Sequence, residues 1–232
     1  MKKGIAIVLT LLMLLSVPTL AFADSEITVT GTGEVLVPAD VAIVTLGVSA
    51  ADREVLTAQA KVNKAIASIR EALISFGIAE EDINTDYINI YAQYDYSGDV
   101  EQIRGYSANS TLAIRVTDME KVGDVIDTAF TAGANTLNGI SFSASDTTAA
   151  QEKAMRVAVD NARVKAEILA DAAGLQIRGV EDIAEQGTYS YERGVNTFKA
   201  AAVEDAAAGT FVQSAKLSVS CSVSVTYHAD RK

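Results

Sequence analysis

The C-terminal part of the chain alternates between apolar and polar residues. The odd-numbered positions from Ala215 to Tyr227 are apolar residues or Cys, and the positions between them are Lys, Ser or Thr. This period of two is typical of a strand with one face in a core and the other in water. Because Cys221 belongs to the apolar set, we predict that its thiol faces the core.

Shorter runs with strand character occur throughout the chain. They cover residues 27–30, 41–49, 86–94, 106–116, 137–144 and 179–185. The first two are expected to be joined by a turn at Gly31 and Gly33 followed by Pro38. Residues 95–99 have the Gly and Asp content of a hairpin turn between the third and fourth strands.

Three segments repeat apolar residues at intervals of three and four, which predicts helices. The first helix is expected to begin at Ser49 or Asp52 and to end at Gly77. The second should begin at Asp118 and end at Gly133, and the third should begin at residue 148 and end at Gly174. The predicted buried stripes are Val55, Ala58, Val62, Ile66, Ile69, Leu73 and Phe76; Val122, Val125, Ile126, Ala129 and Phe130; and Ala150, Ala154, Val157, Ala158, Ala162, Ile168, Leu169 and Ala172. The mixed order of elements predicts an α+β fold, with mixed or antiparallel sheets each covered on one face by helices.

The N-terminus predicts export. Lys2 and Lys3 precede an apolar run at residues 5–15, and Pro18 precedes the small-x-small triplet that ends at Ala23. This is the pattern of a cleavable signal peptide over residues 1–23, with a membrane anchor as the alternative. No Cys stands near the cleavage site, so we expect no lipid attachment and no stable membrane anchor after cleavage.

The charge of the chain excludes some partners. The net charge is −11, and removing Lys2 and Lys3 with the signal changes it to −13. Binding to nucleic acid or to anionic lipid begins with Lys and Arg displacing counterions, so neither partner is expected. The hydrophobic share of 49% is enough for a real core.

A long connection at residues 187–211 separates the last two predicted strands. Loops of this length are usually functional or mobile in compact domains. Tyr189, Tyr191, Phe198 and Phe211 give it apolar side chains suited to a partner surface. The alternative is a disordered excursion, and the sequence leaves both open.

The candidate chemical motifs favour structural roles. Gly31-x-Gly33 could begin a dinucleotide fingerprint, but no helix follows it, so we interpret it as a turn. Cys221 in an apolar environment would carry little thiolate. His228 is the only His and lies near the chain end, which leaves no nucleophile-base pair and no His-based metal site.

Two acidic clusters could be functional sites, but each also fits a turn exposed to solvent. Residues 80–82 follow the predicted helix stop and are expected to form a turn in water. Asp95, Ser97, Asp99 and Glu101 alternate like oxygen ligands of calcium, but they lack EF-hand spacing and also fit a hairpin turn. We therefore predict no catalytic residue, no cofactor and no metal, and calcium at residues 95–101 stays open.

The residues resemble those of the SIMPL domain family, a domain of unknown function, over residues 27–227. The resemblance rests on an ordered set of motifs. They are residues 27–33, Pro38-Ala39-Asp40, Gly105-Tyr106, Gly133-Ala134-Asn135, Phe142, and Ala158, Ala162, Lys165-Ala166, Leu169-Ala170 and Gly174. Ala39 stands between the Pro and the Asp of the family element, which is a departure from the pattern.

The resemblance implies two α+β pieces. The outer subdomain would comprise residues 24–84 and 146–232, and residues 85–145 would form an inserted ββαβ subdomain. Family members are exported or periplasmic bacterial proteins, one of which assembles into a ring- or channel-like oligomer and another of which is tied to tolerance of oxidative stress. None of them supplies a catalytic residue to carry over.

Two classes of function follow. The first is an exported, non-catalytic protein, periplasmic, in the cell envelope or secreted, that forms a homo-oligomer through exposed sheet edges or through the 187–211 loop. The alternative is a soluble extracytoplasmic module that binds a small ligand or a partner protein. An enzyme of unrecognised type is a third, weaker hypothesis, because it needs a polar pocket that the sequence does not reveal.

Overall fold

A computed structural model describes residues 25–96, 101–187, 191–192, 209–214 and 216–232. The predicted signal peptide therefore lies outside the described residues and stays a prediction. Within the described ranges we find no helix that combines the length and apolar character of a membrane span. Two antiparallel sheets and the helices that cover them form the described part of the chain, which confirms the predicted α+β fold.

The first sheet joins the two ends of the chain. Its strands are β1 (Ser25–Pro38), β6 (Leu175–Glu185), β7 (Tyr191–Glu192) and β8 (Lys216–Arg231). The order is β1-β8-β6, and β7 also pairs with β8. Cys221 lies opposite Gly33 in the β1–β8 ladder and is 2% exposed, which confirms that it faces the core.

The second sheet is formed by the middle of the chain. Its strands are β2 (Val41–Asp52), β3 (Ile83–Asp95), β4 (Gln102–Val116) and β5 (Thr136–Ser143), in the order β3-β4-β2-β5. Helices α1 (Val55–Phe76) and α2 (Val122–Thr131) cover one face. The core between them is aliphatic and includes Val44, Leu46, Ile69, Leu73, Leu112, Ile114, Val125 and Ile126.

Strand pairing does not follow the predicted boundary between residues 84 and 85. The predicted division places strand β2 and helix α1 in the outer subdomain, but β2 pairs with β4 and β5, and α1 packs on β2 and β4. The reason is burial: Val44 and Leu46 of β2 form a core with Ile69 of α1. The sheet of the middle segment therefore begins at residue 41.

Helix α3 (Thr148–Ala172) covers the first sheet with small side chains. Its buried residues are six alanines spaced four apart, namely Ala150, Ala154, Ala158, Ala162, Ala166 and Ala170. A methyl group added to Gly31 would overlap the Ala158 carbonyl oxygen, and one added to Gly33 would overlap that of Ala154. The predicted turn at these two glycines is therefore wrong: both lie within β1, where they let the helix backbone come close.

Several predicted side-chain positions and caps differ in the structure. Ile168 and Leu169 were expected in the buried stripe of α3 but are 63% and 50% exposed, because the buried alanine row uses a different side of the helix. Val55, Phe76 and Phe130 are also exposed at helix ends. Asp118 caps a 3₁₀ turn at Met119–Lys121 rather than the helix itself.

The start of α1 also differs from the prediction. Neither Ser49 nor Asp52 is its N-cap, because β2 continues through Asp52 and the cap residue is Glu54. Asp52 instead accepts a hydrogen bond from the Glu54 N–H at 3.2 Å and pairs with Lys61 at 2.7 Å. Gly77 ends α1 in the left-handed conformation at φ 111°, as predicted.

Asp40 ties together the two connections between the sheets. It lies between β1 and β2, and its carboxylate accepts hydrogen bonds from Ser145 N at 2.7 Å and Ser145 Oγ at 2.6 Å. The Asp40 N–H donates to the Ser143 carbonyl at the end of β5. Hydrogen bonding from Ser145 lowers the pKa of Asp40 below its ordinary value of 3.8. The Pro-Ala-Asp element of the sequence thus joins the connection between β1 and β2 to the segment that follows β5.

Candidate interaction surface

Strand β3 is an open edge of the second sheet, because β4 is the only strand next to it among the residues that the structure describes. The ladder between them is irregular near Asp86 and again between Gln93 and Tyr94. Between these irregularities the strand runs regularly, and its side chains are largely exposed. Tyr87 is 55% exposed, Ile88 64% and Tyr91 49%.

The two faces of this edge have different chemistry. Tyr87, Asn89 and Tyr91 pair with Thr111, Asn109 and Ser107 of β4, on the face opposite the helices. Ile88 and Ile90 point to the helix side, and Ile90 packs against the core. A long edge strand that exposes tyrosine and isoleucine side chains and contains no Lys or Pro is a template for pairing with another chain. This strand is therefore the leading candidate for an interaction surface.

Strand β1 is also an edge, but helix α3 reaches over it. Asn161 Nδ2 donates to the Thr32 carbonyl at 2.7 Å, and Lys165 Nζ donates to the Thr30 carbonyl at 2.7 Å. These carbonyls alternate along the strand, so they point to the same side. Two acceptors that an added strand would need are thus already occupied.

The remaining edges carry other obstacles to pairing. Strand β6 has irregularities after Ile177 and after Val180, and it carries Glu181, Asp182 and Glu185. Strand β5 has eight residues, and its ladder with β2 is interrupted near Gly139. Bulges, charges and short length all discourage edge-to-edge pairing. Strand β3 also has two irregularities, but residues 87–93 between them pair regularly with β4 and carry no charge.

The predicted interaction loop is only partly described. Tyr189 and Phe198 lie outside the described residues. The backbone at Tyr191 pairs with Val219 in the short strand β7. Phe211 is 85% exposed, consistent with the predicted apolar side chain at the surface. The interaction-loop hypothesis for these four residues therefore stays a prediction.

The end of this loop is held against helix α2, a contact that no periodic sequence pattern predicts. Thr210 donates to the Asp127 carboxylate from its N–H at 2.9 Å and from its hydroxyl at 2.5 Å. These hydrogen bonds lower the pKa of Asp127. Gly123 allows the contact, because a methyl group there would overlap the Thr210 carbonyl oxygen. A Gly inside the predicted helix was the available signal.

A groove of about 550 Å³ lies between α1 and α2. Phe76 of α1 and Asp124, Asp127 and Thr131 of α2 are among its lining residues. A second, apolar groove of about 490 Å³ lies beside β1 and is lined in part by the exposed Ile168 and Leu169. Both are open to solvent and could admit a small ligand.

The candidate chemical groups lie apart from these surfaces. Burial raises the pKa of the Cys221 thiol, which disfavours the reactive thiolate. His228 Nε2 lies 3.4 Å from Asp230 in the first sheet, and Asp230 also pairs with Arg178. Among the described residues, no three His, Cys, Asp or Glu side chains are grouped as metal ligands would be.

The acidic clusters remain solvated or incompletely described. Residues Glu80–Asp82 form a 3₁₀ turn as predicted, and Glu80 contacts Arg70 at 3.5 Å. The calcium hypothesis is untested because Ser97 and Asp99 lie outside the described residues.

Comparisons with known proteins identify relatives in bacteria. The 26 kDa periplasmic immunogenic protein of Brucella melitensis is 33% identical over 169 residues, which cover 69% of this chain and 66% of the relative. The protein of the same name from Brucella abortus is 32% identical over the same shares. The uncharacterized protein YggE of Escherichia coli K12 is 27% identical over 63% of this chain and 59% of the relative.

The chain therefore spans slightly less than two thirds of the length of these relatives. A family model covers more of it: SIMPL, described as a protein of unknown function (DUF541), matches residues 27–227. Because this match extends from the first strand into the last, the chain belongs to the SIMPL family.

Proposed function

We propose that this protein is an exported, non-catalytic protein that works by assembling with copies of itself. The observation that carries the proposal is the open β3 edge, which exposes Tyr87, Ile88 and Tyr91 and has no strand on its outer side within the described part of the chain. Contacts from Asn161 and Lys165 obstruct the β1 edge, which favours association through the second sheet.

The proposed location outside the cytoplasm has two supports. Lys2, Lys3 and the apolar run of residues 5–15 have the pattern of a signal peptide. Two Brucella relatives are named periplasmic proteins. A role in envelope or oxidative stress tolerance rests only on the family resemblance and stays a prediction.

The absence of catalysis is also part of the proposal. It is supported by the buried, poorly ionised thiol of Cys221 and by the carboxylates, none of which is buried among the described residues. Catalytic carboxylates need a site that separates their pKa values, usually through burial.

Native mass by light scattering tests the proposal on protein purified after export. We expect a mass of at least two chains at micromolar concentration. A monomer under these conditions would contradict self-assembly. A sample diluted in steps serves as the control, because a specific assembly dissociates over a defined concentration range.

The alternative function is a binding module, and the groove between α1 and α2 favours it. Asp127 both lines this groove and anchors Thr210, so an occupant could be coupled to the position of the loop end. Native mass and deletion of residues 188–208 together separate the two functions. A monomeric wild-type chain that captures a partner and loses it after the deletion would favour the binding module, whereas an oligomer that persists after the deletion would favour assembly through β3.

A further inference from the structure

The exposed part of β3 reads the same in both directions. Residues 87–91 are Tyr-Ile-Asn-Ile-Tyr, and they lie in the regular stretch between the two irregularities of the β3–β4 ladder. We propose that two copies pair antiparallel along β3, with a two-fold axis at Asn89; this proposal rests on the proposed self-assembly. The partner is thus a second copy of this chain, joined edge to edge.

Two-fold symmetry and the palindrome fit each other. In an isologous interface the same patch of both copies meets, so residues at equal distances on either side of the axis face each other. Tyr87 would lie opposite the partner subunit's Tyr91, and Ile88 opposite the partner subunit's Ile90. Each cross-strand pair then joins identical side chains, and aromatic and β-branched pairs are favourable in antiparallel sheets.

Asn89 suits the position on the axis. An amide carries both donors and an acceptor, so two identical amides that face each other can satisfy one another. Asn89 is only half-buried in the single chain and lies opposite Asn109 of β4. A row of three Asn side chains from β4 to the new strand would continue across the interface.

Charge selects this register over a nearby one. The chain is acidic, yet residues 87–91 contain no charged side chain. In the proposed register Asp86 lies opposite Ala92 of the partner subunit, and Asp95 opposite Ile83 of the partner subunit. A slip of three residues would place Asp86 against Asp95, and like charges directly opposite are destabilising.

The pairing also keeps the helices of both copies on one side. Facing residues in adjacent strands share a face of the sheet, so Ile88 and Ile90 of both copies stay on the helix side. Joining two four-stranded sheets in this way makes one continuous eight-stranded sheet. Sheets of that size are within the usual range.

Cysteine cross-linking tests the axis directly. In Asn89→Cys, the two new thiols lie opposite each other, at a Cα distance of roughly 4.5–5.5 Å that permits a disulfide. We expect a disulfide-linked dimer under mild oxidation. The matched control is Asn84→Cys, which is exposed on the same strand but faces Tyr94 of the partner subunit. The native Cys221 is buried and should not interfere.

A charge exchange supplies a second test. Asn89→Asp and Asn89→Lys each place two like charges at the axis, and each variant alone should lose at least tenfold in self-association affinity. Mixing the two should restore association at a mass of two chains, which would also show that both are folded.

The outcomes separate this proposal from the broader one. A wild-type monomer contradicts both. A wild-type oligomer contradicts the β3 pairing alone if Asn89→Cys cross-links no more than Asn84→Cys and if both charge variants keep the wild-type mass. Folded charge variants that remain monomeric when mixed also contradict pairing at Asn89.

Discussion

Strands β1 and β3 are both long edge strands, yet their surroundings differ. Helix α3 approaches β1 so closely that Asn161 and Lys165 donate hydrogen bonds to its backbone carbonyls. Helix α1 packs mainly over β2 and β4, and the side chains of β3 stay exposed. The protection of an edge strand therefore depends on how close a helix can come, which at β1 depends on Gly31 and Gly33.

The largest expected effect is a test of that close approach. Gly33→Ala would force the new methyl group against the Ala154 carbonyl, so α3 must move away from β1. We expect the free energy of unfolding to fall by about 1–3 kcal/mol, as for other overpacked sites. The measurement is the urea midpoint at unchanged m-value.

Gly179→Ala is the matched control for this change. Gly179 also lies in a strand of the first sheet, but its added methyl group would meet no atom within 4 Å. We expect a change within about 0.5 kcal/mol. Equal losses in the two variants would contradict the importance of the helix approach.

A smaller effect is expected when the carbonyls of the β1 edge lose their hydrogen bonds to α3 while the core is left intact. The double change Asn161→Ala and Lys165→Met removes both donors from the edge carbonyls, which then become available to another strand. We expect faster aggregation, followed by light scattering at constant temperature. Lys153→Met removes a charge from the same helix and should leave the aggregation rate unchanged.

The contribution of Asp40 to the free energy of unfolding should depend on pH. The folded-state pKa of Asp40 is lowered, so its stabilisation is present above the ordinary value of 3.8 and is lost as the pH falls through the lower folded value. Asp40→Asn should therefore be less stable than wild type at pH 7 and equal to it in acid. Denaturation at several pH values measures this difference.

An exposed aspartate provides the control for the pH experiment. Asp160→Asn changes a carboxylate on the solvated side of α3. Because this side chain is exposed, the change should alter the free energy of unfolding at pH 7 by less than about 0.5 kcal/mol. A constant gap between wild type and Asp40→Asn down to strong acid would argue against the carboxylate contacts with Ser145.

The smallest effect on stability is expected at Phe211. Its side chain is 85% exposed, so Phe211→Ala should change the free energy of unfolding by less than about 0.5 kcal/mol. Val212→Ala should lower the free energy of unfolding by more, because the neighbouring Val212 packs against the core of the second sheet. If Phe211→Ala weakens assembly at unchanged stability, the β3 edge is not the whole interface.

Part of the candidate surface could be predicted from the sequence. The alternation in residues 86–94 predicted the strand that contains it, but periodicity does not identify which strand lies at an edge. The contact between Asp127 and Thr210 was not predictable, because it joins residues 83 positions apart. The buried side of α3 was predicted in part. Ala150, Ala154, Ala158 and Ala162 are buried as expected, whereas Ile168 and Leu169 are exposed because close packing required alanine.

The sequence by itself determined the α+β elements, the inward position of Cys221, the left-handed helix stop at Gly77 and the family. These features depend on local periodicity, backbone preference and ordered motifs, which a single chain carries in its residues. Only the tertiary structure decided that Gly31 and Gly33 lie within a strand, that β2 belongs to the second sheet, and that β1 is covered while β3 is open. Those outcomes depend on distances between segments remote in sequence, because packing and edge protection arise only when helices and strands meet.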